Sequence, residues 1–212
     1  QEISTLANRA NEPGNQLREE ILFEGLNALN MLNTKYIIVN PDTPPLTNPD
    51  ALGNCWFVSS VIAADNPDRE LEMVSQIDPA TEAVTDVMFE EEINKAGQIT
   101  DSMAVIELKS YSPNELIYSS SSKAAQTAVF SEIYYPAGWN AYIDGEPHNH
   151  FRVNYVLRAM NILPGEHEII FRFEPESYRT GNIISFAGSV ILLLIITATI
   201  VYYVRRKKIT EG

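Results

Sequence analysis

Three groups of residues have the types and spacing to do chemistry. His148 and His150 are two apart, with Asp144 and Glu146 just upstream. Positions two apart share a face of a strand, so the imidazoles could chelate a metal with one of these carboxylates. Such a site needs a third protein ligand at the right distance, and two solvated loop histidines are the commoner arrangement, so no metal ligand is assigned. Asp144 could serve as a general base, yet beside Gly145 a turn role already explains it, because both residues tolerate positive φ. The third group is Trp139, Tyr134, Tyr135 and Tyr142, an aromatic set of the kind that stacks on sugar rings. Half of any sandwich strand faces the core, so some of these rings are expected inside; the four are the candidate glycan contacts. A nucleophile elbow, a P-loop, a Gly-rich dinucleotide turn and a Cys-x-x-Cys pair are all missing from the sequence, so neither catalytic residues nor a cofactor site is expected within it.

The element that must position any such site is near the end of the chain. Ile183 to Val204 is a run of 22 residues without a charge, Pro or Asn. As a helix rising about 1.5 Å per residue it is roughly 33 Å long, which matches a hydrocarbon core of about 30 Å. Arg205, Arg206, Lys207 and Lys208 follow it, whereas only Arg179 lies close before it. The positive-inside bias then puts the C-terminus in the cytoplasm and residues 1–182 outside. An exported domain needs a signal upstream, and the first 20 residues contain no basic segment followed by an apolar one. The chain is therefore expected to be the C-terminal part of a longer membrane protein, with the lipid bilayer and upstream transmembrane helices of that protein as its partners.

Charge narrows the partners further. The chain carries a formal −13, and residues 1–182 hold 11 basic against 27 acidic side chains. Nucleic acid and anionic headgroups are poor partners for that surface, and solubility is the simpler reading of it. The single cysteine, Cys55, cannot form an internal disulfide, so stability must come from a packed core.

Four regions are expected: an irregular segment at 1–15, an extracytoplasmic domain at 16–181, a transmembrane helix at 182–204 and a basic tail at 205–212. Ile21, Leu22, Leu26, Leu29 and Leu32 recur at helical spacing, predicting an amphipathic helix from Gln16 to Asn33. Tyr36–Val39 reads as a buried strand before Pro41, and Cys55–Val58 as a second one running on toward Ile62. Asp68–Gln76 reads as a helix capped by Asn66 or Asp65, with Pro67 in its first turn and Pro79 ending it. The segment 83–92 favours strand. From Ala104 onward the period is two, interrupted by Pro113-Asn114, Asp144-Gly145 and Pro164-Gly165 as turns. Ser119–Ser122 reads as a loop or solvated strand end, and Phe151–Ala159 as one strand with Tyr155 inward and Arg152 and Arg158 outward. Pro175–Gly181 reads as a linker. The fold class is α+β: mainly an antiparallel β-sandwich whose strands alternate core and solvent, with one or two N-terminal helices and a C-terminal transmembrane helix.

Several blocks together resemble the YfhO family of bacterial polytopic membrane proteins. They are Leu32–Ile38, Asn48-Pro49 with Ala51–Val58, Phe130–Pro136 with Gly138-Trp139, Ile143–Gly145, Asn154–Ala159, and Pro164–His167 leading into Phe173–Pro175. Cys55 departs from the Ala expected after Gly-Asn, which suggests a small buried site and not a reactive thiol. The resemblance implies a GT-C-type glycosyltransferase in the bacterial inner membrane, taking sugar from a polyprenyl-phosphate carrier to a cell-envelope glycan. It also implies that the working carboxylate lies in an early outer loop of the whole protein, so this chain alone is expected to be accessory to catalysis. The alternative is a non-catalytic, membrane-anchored domain that binds glycan or protein as a scaffold.

Overall fold

The computed structural model describes Ser4, Asn8 and residues 25–38, 41–42, 44–95 and 101–210, with side chains described as far as Tyr202. Ser4 and Asn8, within the opening segment expected to be irregular, are helical; residues 16–24 of the expected first helix lie outside the described residues. That helix is seen as α1 (Asn27–Met31), with Leu26 and Met31 buried beneath it.

Two sheets form the body. A five-stranded antiparallel sheet has the order β10 (Glu146–His148), β9 (Trp139–Ile143), β13 (Gly165–Phe173), β7 (Glu115–Ser122), β6 (Val105–Ser112). A four-stranded antiparallel sheet has the order β11 (Phe151–Val153), β12 (Leu157–Ile162), β8 (Gln126–Ile133), β3 (Cys55–Val58). Between them lies a core built on Tyr118, Phe130 and Phe171, none of them exposed, whose rings meet edge to face at centroid distances of 4.9 to 6.1 Å. Such pairs add about 0.5–1.5 kcal/mol each beyond their burial.

The alternation expected of a sandwich is clear in β7 of the five-stranded sheet and is lost in the four-stranded one. Strand β8 is buried at five consecutive positions, Gln126–Phe130, and β12 at Leu157–Met160. A third layer explains this. The four-stranded sheet turns Val129, Phe151, Val153, Leu157 and Ala159 away from the sandwich core, and these pack with Met31 of α1, Val74 and Ala83 in a second core. Val74 and Ala83 belong to a βαβ unit in which β4 (Ser60–Ala64) and β5 (Glu82–Asp86) pair in parallel across α2 (Pro67–Val74). A sheet covered on both faces carries near-continuous apolar runs.

The start of α2 follows its sequence signals: the Asn66 side chain accepts from the Arg69 N–H at 2.9 Å and Pro67 is the first helical residue. It ends at Val74, five residues before Pro79. The run from Cys55 toward Ile62 is two strands in different sheets, and the stretch 83–92 is strand only to Asp86, followed by a 3₁₀ turn (Val87–Phe89) and α3 (Glu90–Lys95). Tyr36–Ile37 forms β1, paired with β2 (Leu46–Thr47), but this strand is not buried: Tyr36 and Ile38 are 65 and 72% exposed. Ile37, between them, is half-buried and packs with Leu46 and Leu29 against Leu26, so β1 is covered on one side only.

Three further expectations are corrected. Ser119–Ser122 continues β7 through its full length, pairing with β13 and β6, and Ser120 and Ser122 are buried. Phe151–Ala159 is not one strand: Asn154 and Tyr155 adopt φ of 49 and 70° and turn β11 back as β12, leaving Tyr155 40% exposed. The turn is fixed from outside, because the buried Asn154 exchanges two hydrogen bonds with the backbone of Val84 at 2.6 and 2.9 Å. The buried Glu70 of α2 accepts from the Tyr155 N–H at 2.8 Å and from Arg152 at 2.7 Å. Arg152 thus points to a buried carboxylate, and Arg158 is itself only 2% exposed. Finally, the expected linker Pro175–Gly181 is helical from Glu176: α4 (Glu176–Thr210) starts directly after Pro175, whose carbonyl accepts from Tyr178 and Arg179. An 18-residue window within Glu176–Tyr202 has a mean hydropathy of 2.5, and none of that window is buried inside the fold.

Candidate functional site

The turn Asp144-Gly145, with φ of 52 and 86°, closes the β9–β10 hairpin as a two-residue loop in the twist sense that hairpins favour. Register then sets Tyr142 opposite Pro147 and Ala141 opposite His148. The five-residue connection from β8 brings Tyr134 and Pro136 to the start of the same hairpin. Together they enclose a cleft of about 350 Å³ whose walls include Tyr134, Trp139, Tyr142, His148 and His150.

Three of the four candidate glycan contacts therefore converge. Tyr134 is half-buried, with its ring edge against Phe89 at 5.9 Å and His150 at 5.4 Å. Trp139 is half-buried against the sandwich core and 5.4 Å from Phe173, while Tyr142 lies on the outer face of β9. Tyr135 is not among the described residues lining the cleft; it is 52% exposed at the end of the sandwich. Asn140, Pro147 and Asn149, which also line the cleft, stand in no motif that would single them out. Counting outward from the Asp144-Gly145 turn would have found Pro147 and His148, because a two-residue hairpin loop fixes the register of both strands.

No carboxylate is found among the described residues lining the cleft. Its polar groups are phenol, indole, amide and imidazole. Glu174 stands beside it, accepting from Tyr142 Oη at 2.8 Å and from Asn140 Nδ2 at 3.0 Å. These two donors hold the Glu174 carboxyl below its usual range and, reciprocally, the bond to Glu174 pushes the Tyr142 phenol up. Behind the wall lies Arg158, its guanidinium 4.3 Å from the Trp139 ring centroid and 5.2 Å from that of Phe171. It donates from Nε to the Ile133 carbonyl at 2.8 Å, and its Nη1 is buried without a protein partner. Burial, followed by the charge of Arg158, pulls His150 down to about 4, so this imidazole is neutral at physiological pH.

The metal arrangement weighed from sequence is not assembled. Asp144 Oδ2 pairs with His167 Nδ1 at 2.7 Å, and its Oδ1 accepts from the Glu168 N–H at 2.9 Å, so it is engaged across the turn end of the sheet. His148 contacts the Asn149 carbonyl at 2.9 Å, and His150 packs on Tyr134 and Phe171. Among the described residues no group of three or more His, Cys, Asp and Glu side chains is placed to hold an ion. Cys55 is half-buried against the sandwich core, and burial with the nearby charge of Glu107 pushes its thiol up to about 12.

A β-rich domain that continues without a break into one long apolar helix is the build of a membrane-anchored protein. Residues 88–185 match the family described as "Bacterial membrane protein YfhO". The matched region runs from the 3₁₀ turn after β5 into α4, and so includes the whole cleft. No curated protein and no solved structure matches the chain.

Proposed function

We propose that this chain is the C-terminal extracytoplasmic domain and last membrane span of a larger enzyme that transfers sugar from a polyprenyl-phosphate carrier to a cell-envelope glycan. In this reading the domain contacts the acceptor and leaves the chemistry to residues elsewhere in the protein. The observation that carries it is the convergence of Trp139, Tyr134 and Tyr142 on one cleft at the end of the sandwich next to α4: Phe173, register partner of Trp139, is three residues before the helix. Aromatic faces supply stacking area for sugar rings, while Asn140, His148 and Asn149 supply hydrogen-bonding groups for hydroxyls. A wall without carboxylates suits binding and not glycoside chemistry, which needs a pair of them.

At about 1 kcal/mol per stacked ring the cleft would bind a short glycan in the millimolar range. That is useful only where local concentration is high, as beside a membrane-embedded active site. The four basic residues that end α4 support the orientation with this domain outside the bacterial inner membrane.

The test is turnover with a polyprenyl-phosphate sugar by the whole protein, the whole protein lacking this domain, and this chain alone. Loss of transfer on deleting the domain, with no transfer by this chain alone, is the expected result; transfer by this chain alone refutes it. Undiminished transfer without the domain favours the alternative, a membrane-anchored scaffold. Tyr142→Ala and His148→Ala, both at the cleft and outside the described cores, should each abolish saturation-transfer signals from envelope glycan fragments.

A further inference from the structure

The end of the sandwich from which α4 departs carries a distinctive set of exposed side chains. Strand register gathers distant parts of the chain there: Phe173 pairs with Trp139, Arg172 with Glu115, Tyr111 with Leu116 and Ile133 with Leu157. The Phe173 N–H reaches the Asn114 carbonyl of the β6–β7 turn at 2.9 Å, and the Tyr134 N–H reaches Val156 beside the β11–β12 turn at 2.8 Å. Tyr111, Ile133, Tyr135 and Tyr155 are 66, 56, 52 and 40% exposed on this rim. Three of the four exposed tyrosines that precede α4 among the described residues are therefore at one end. The opposite end carries Lys123 and Leu163, about 30 Å away along the nine residues of β13.

Only Glu174 and Pro175 separate the rim from α4, and Tyr178, 70% exposed, is in the first turn of that helix. The apolar run starts at Ile183, seven residues after the helix begins, a rise of about 10 Å. The headgroup layer on each side of the hydrocarbon is roughly 5–8 Å thick. An upright helix thus leaves the rim within a side-chain length of that layer, and any tilt brings part of it closer. Tyrosine, apolar in the ring and polar at the tip, is enriched at this depth.

We propose that Tyr111, Ile133, Tyr135 and Tyr155 rest in the headgroup layer of the bilayer that α4 crosses and seat the domain on it. The inference rests on α4 spanning the membrane and not on sugar transfer. Because residues 1–182 carry 27 acidic against 11 basic side chains, the seat works by burial of aromatic surface and not by attraction to anionic lipid.

The test uses the 212-residue chain with Cys55→Ala in phosphatidylcholine vesicles, carrying a fluorophore on one cysteine at a time: Tyr135→Cys, Tyr155→Cys, Lys123→Cys or Leu193→Cys. Nitroxide on the lipid headgroup should quench the probes at 135 and 155 several-fold more than the probe at 123, by the same factor with and without phosphatidylglycerol. Nitroxide midway along the acyl chain should quench the probe at 193. Equal quenching at 135, 155 and 123, with 193 quenched, overturns the seat. Protection of 135 from both headgroup nitroxide and aqueous iodide would mean that protein covers the rim, and also overturns it. An unquenched probe at 193 removes the spanning helix and the seat with it.

Discussion

Arg152 shows how far a single side chain can depart from its sequence pattern. In an alternating strand it belongs on the solvent side, and its loss would cost little. In the fold it reaches Glu70 at 2.7 Å, a carboxylate with no exposed surface that also holds the Tyr155 N–H. Burial raises Glu70 above its ordinary value, and the Tyr155 N–H and Arg152 pull the other way without overcoming it. Arg152→Ala leaves that carboxylate unpaired and should cost roughly 2–4 kcal/mol at neutral pH, toward the lower end of buried-pair losses because Arg152 is 23% exposed. The sign of the pH effect follows from the raised folded value. Protonated Glu70 favours the fold below its unfolded value of 4.5, and that contribution fades as pH rises through the folded value. Without Arg152 the folded value climbs further, so the gap between variant and wild type should be widest at pH 7 and narrow on acidification toward pH 4.5. Thermal melts in detergent, followed by Trp56 and Trp139 fluorescence, read it; a gap that is constant with pH would exclude Glu70 as the cause.

Phe171 stands at the other pole. Its inward position was legible from the alternation of Ile169, Phe171 and Phe173, and it is fully buried between Tyr118 and Phe130. Phe171→Ala should cost about 3–5 kcal/mol in the same melts, whereas Tyr155→Ala should cost under about 1 kcal/mol. Comparable losses at both would contradict the turn at Asn154-Tyr155.

Among elements, those with their own punctuation were readable. The hairpin at Asp144-Gly145 and the Asn66-Pro67 start of α2 are local chemistry, and the sequence states local chemistry directly. The β11–β12 turn was not readable, because Asn154 and Tyr155 are held in positive φ by Val84 and Glu70, some 70 and 85 residues away. The aromatic cleft was half legible: its rings were named, but the hairpin register that adds His148 and leaves out Tyr135 had to be counted from the turn. Ser119–Ser122 failed for a different reason, since serine is a poor guide to burial when both neighbouring strands are present to pair it. That strand makes a paired prediction. Ser120 Oγ is buried without a partner, so Ser120→Ala should be neutral or slightly stabilising. Ser122 Oγ has two acceptors for its one proton, Ala124 O and Gln126 Oε1, each at 2.8 Å, so Ser122→Ala should cost about 1–2 kcal/mol. The urea midpoint of Ser120→Ala should match or exceed that of the unaltered protein and that of Ser122→Ala should fall below it; equal midpoints would place the serines outside the sheet interior.

For the whole molecule, the test of orientation follows from where thiols can be reached. Cys55 is a poor reporter, since burial lifts its thiol to about 12 and leaves almost no thiolate at pH 8. Ser121, exposed on β7, is a good one. With Cys55→Ala and Ser121→Cys, a membrane-impermeant maleimide added to intact cells should label the protein fully. Labelling that appears only after the cell membrane is opened would reverse the proposed sidedness.

The unbroken passage from Pro175 into α4 has a mechanical meaning. A domain on a loose tether samples every heading, but one welded to a helix keeps a compass bearing fixed by the number of residues in the shaft. Each residue added or removed between Glu176 and Ile183 would swing that bearing by about 100°, aiming the aromatic cleft at a different sector of its surroundings. The length of this short shaft, more than the identity of its residues, sets what the cleft faces.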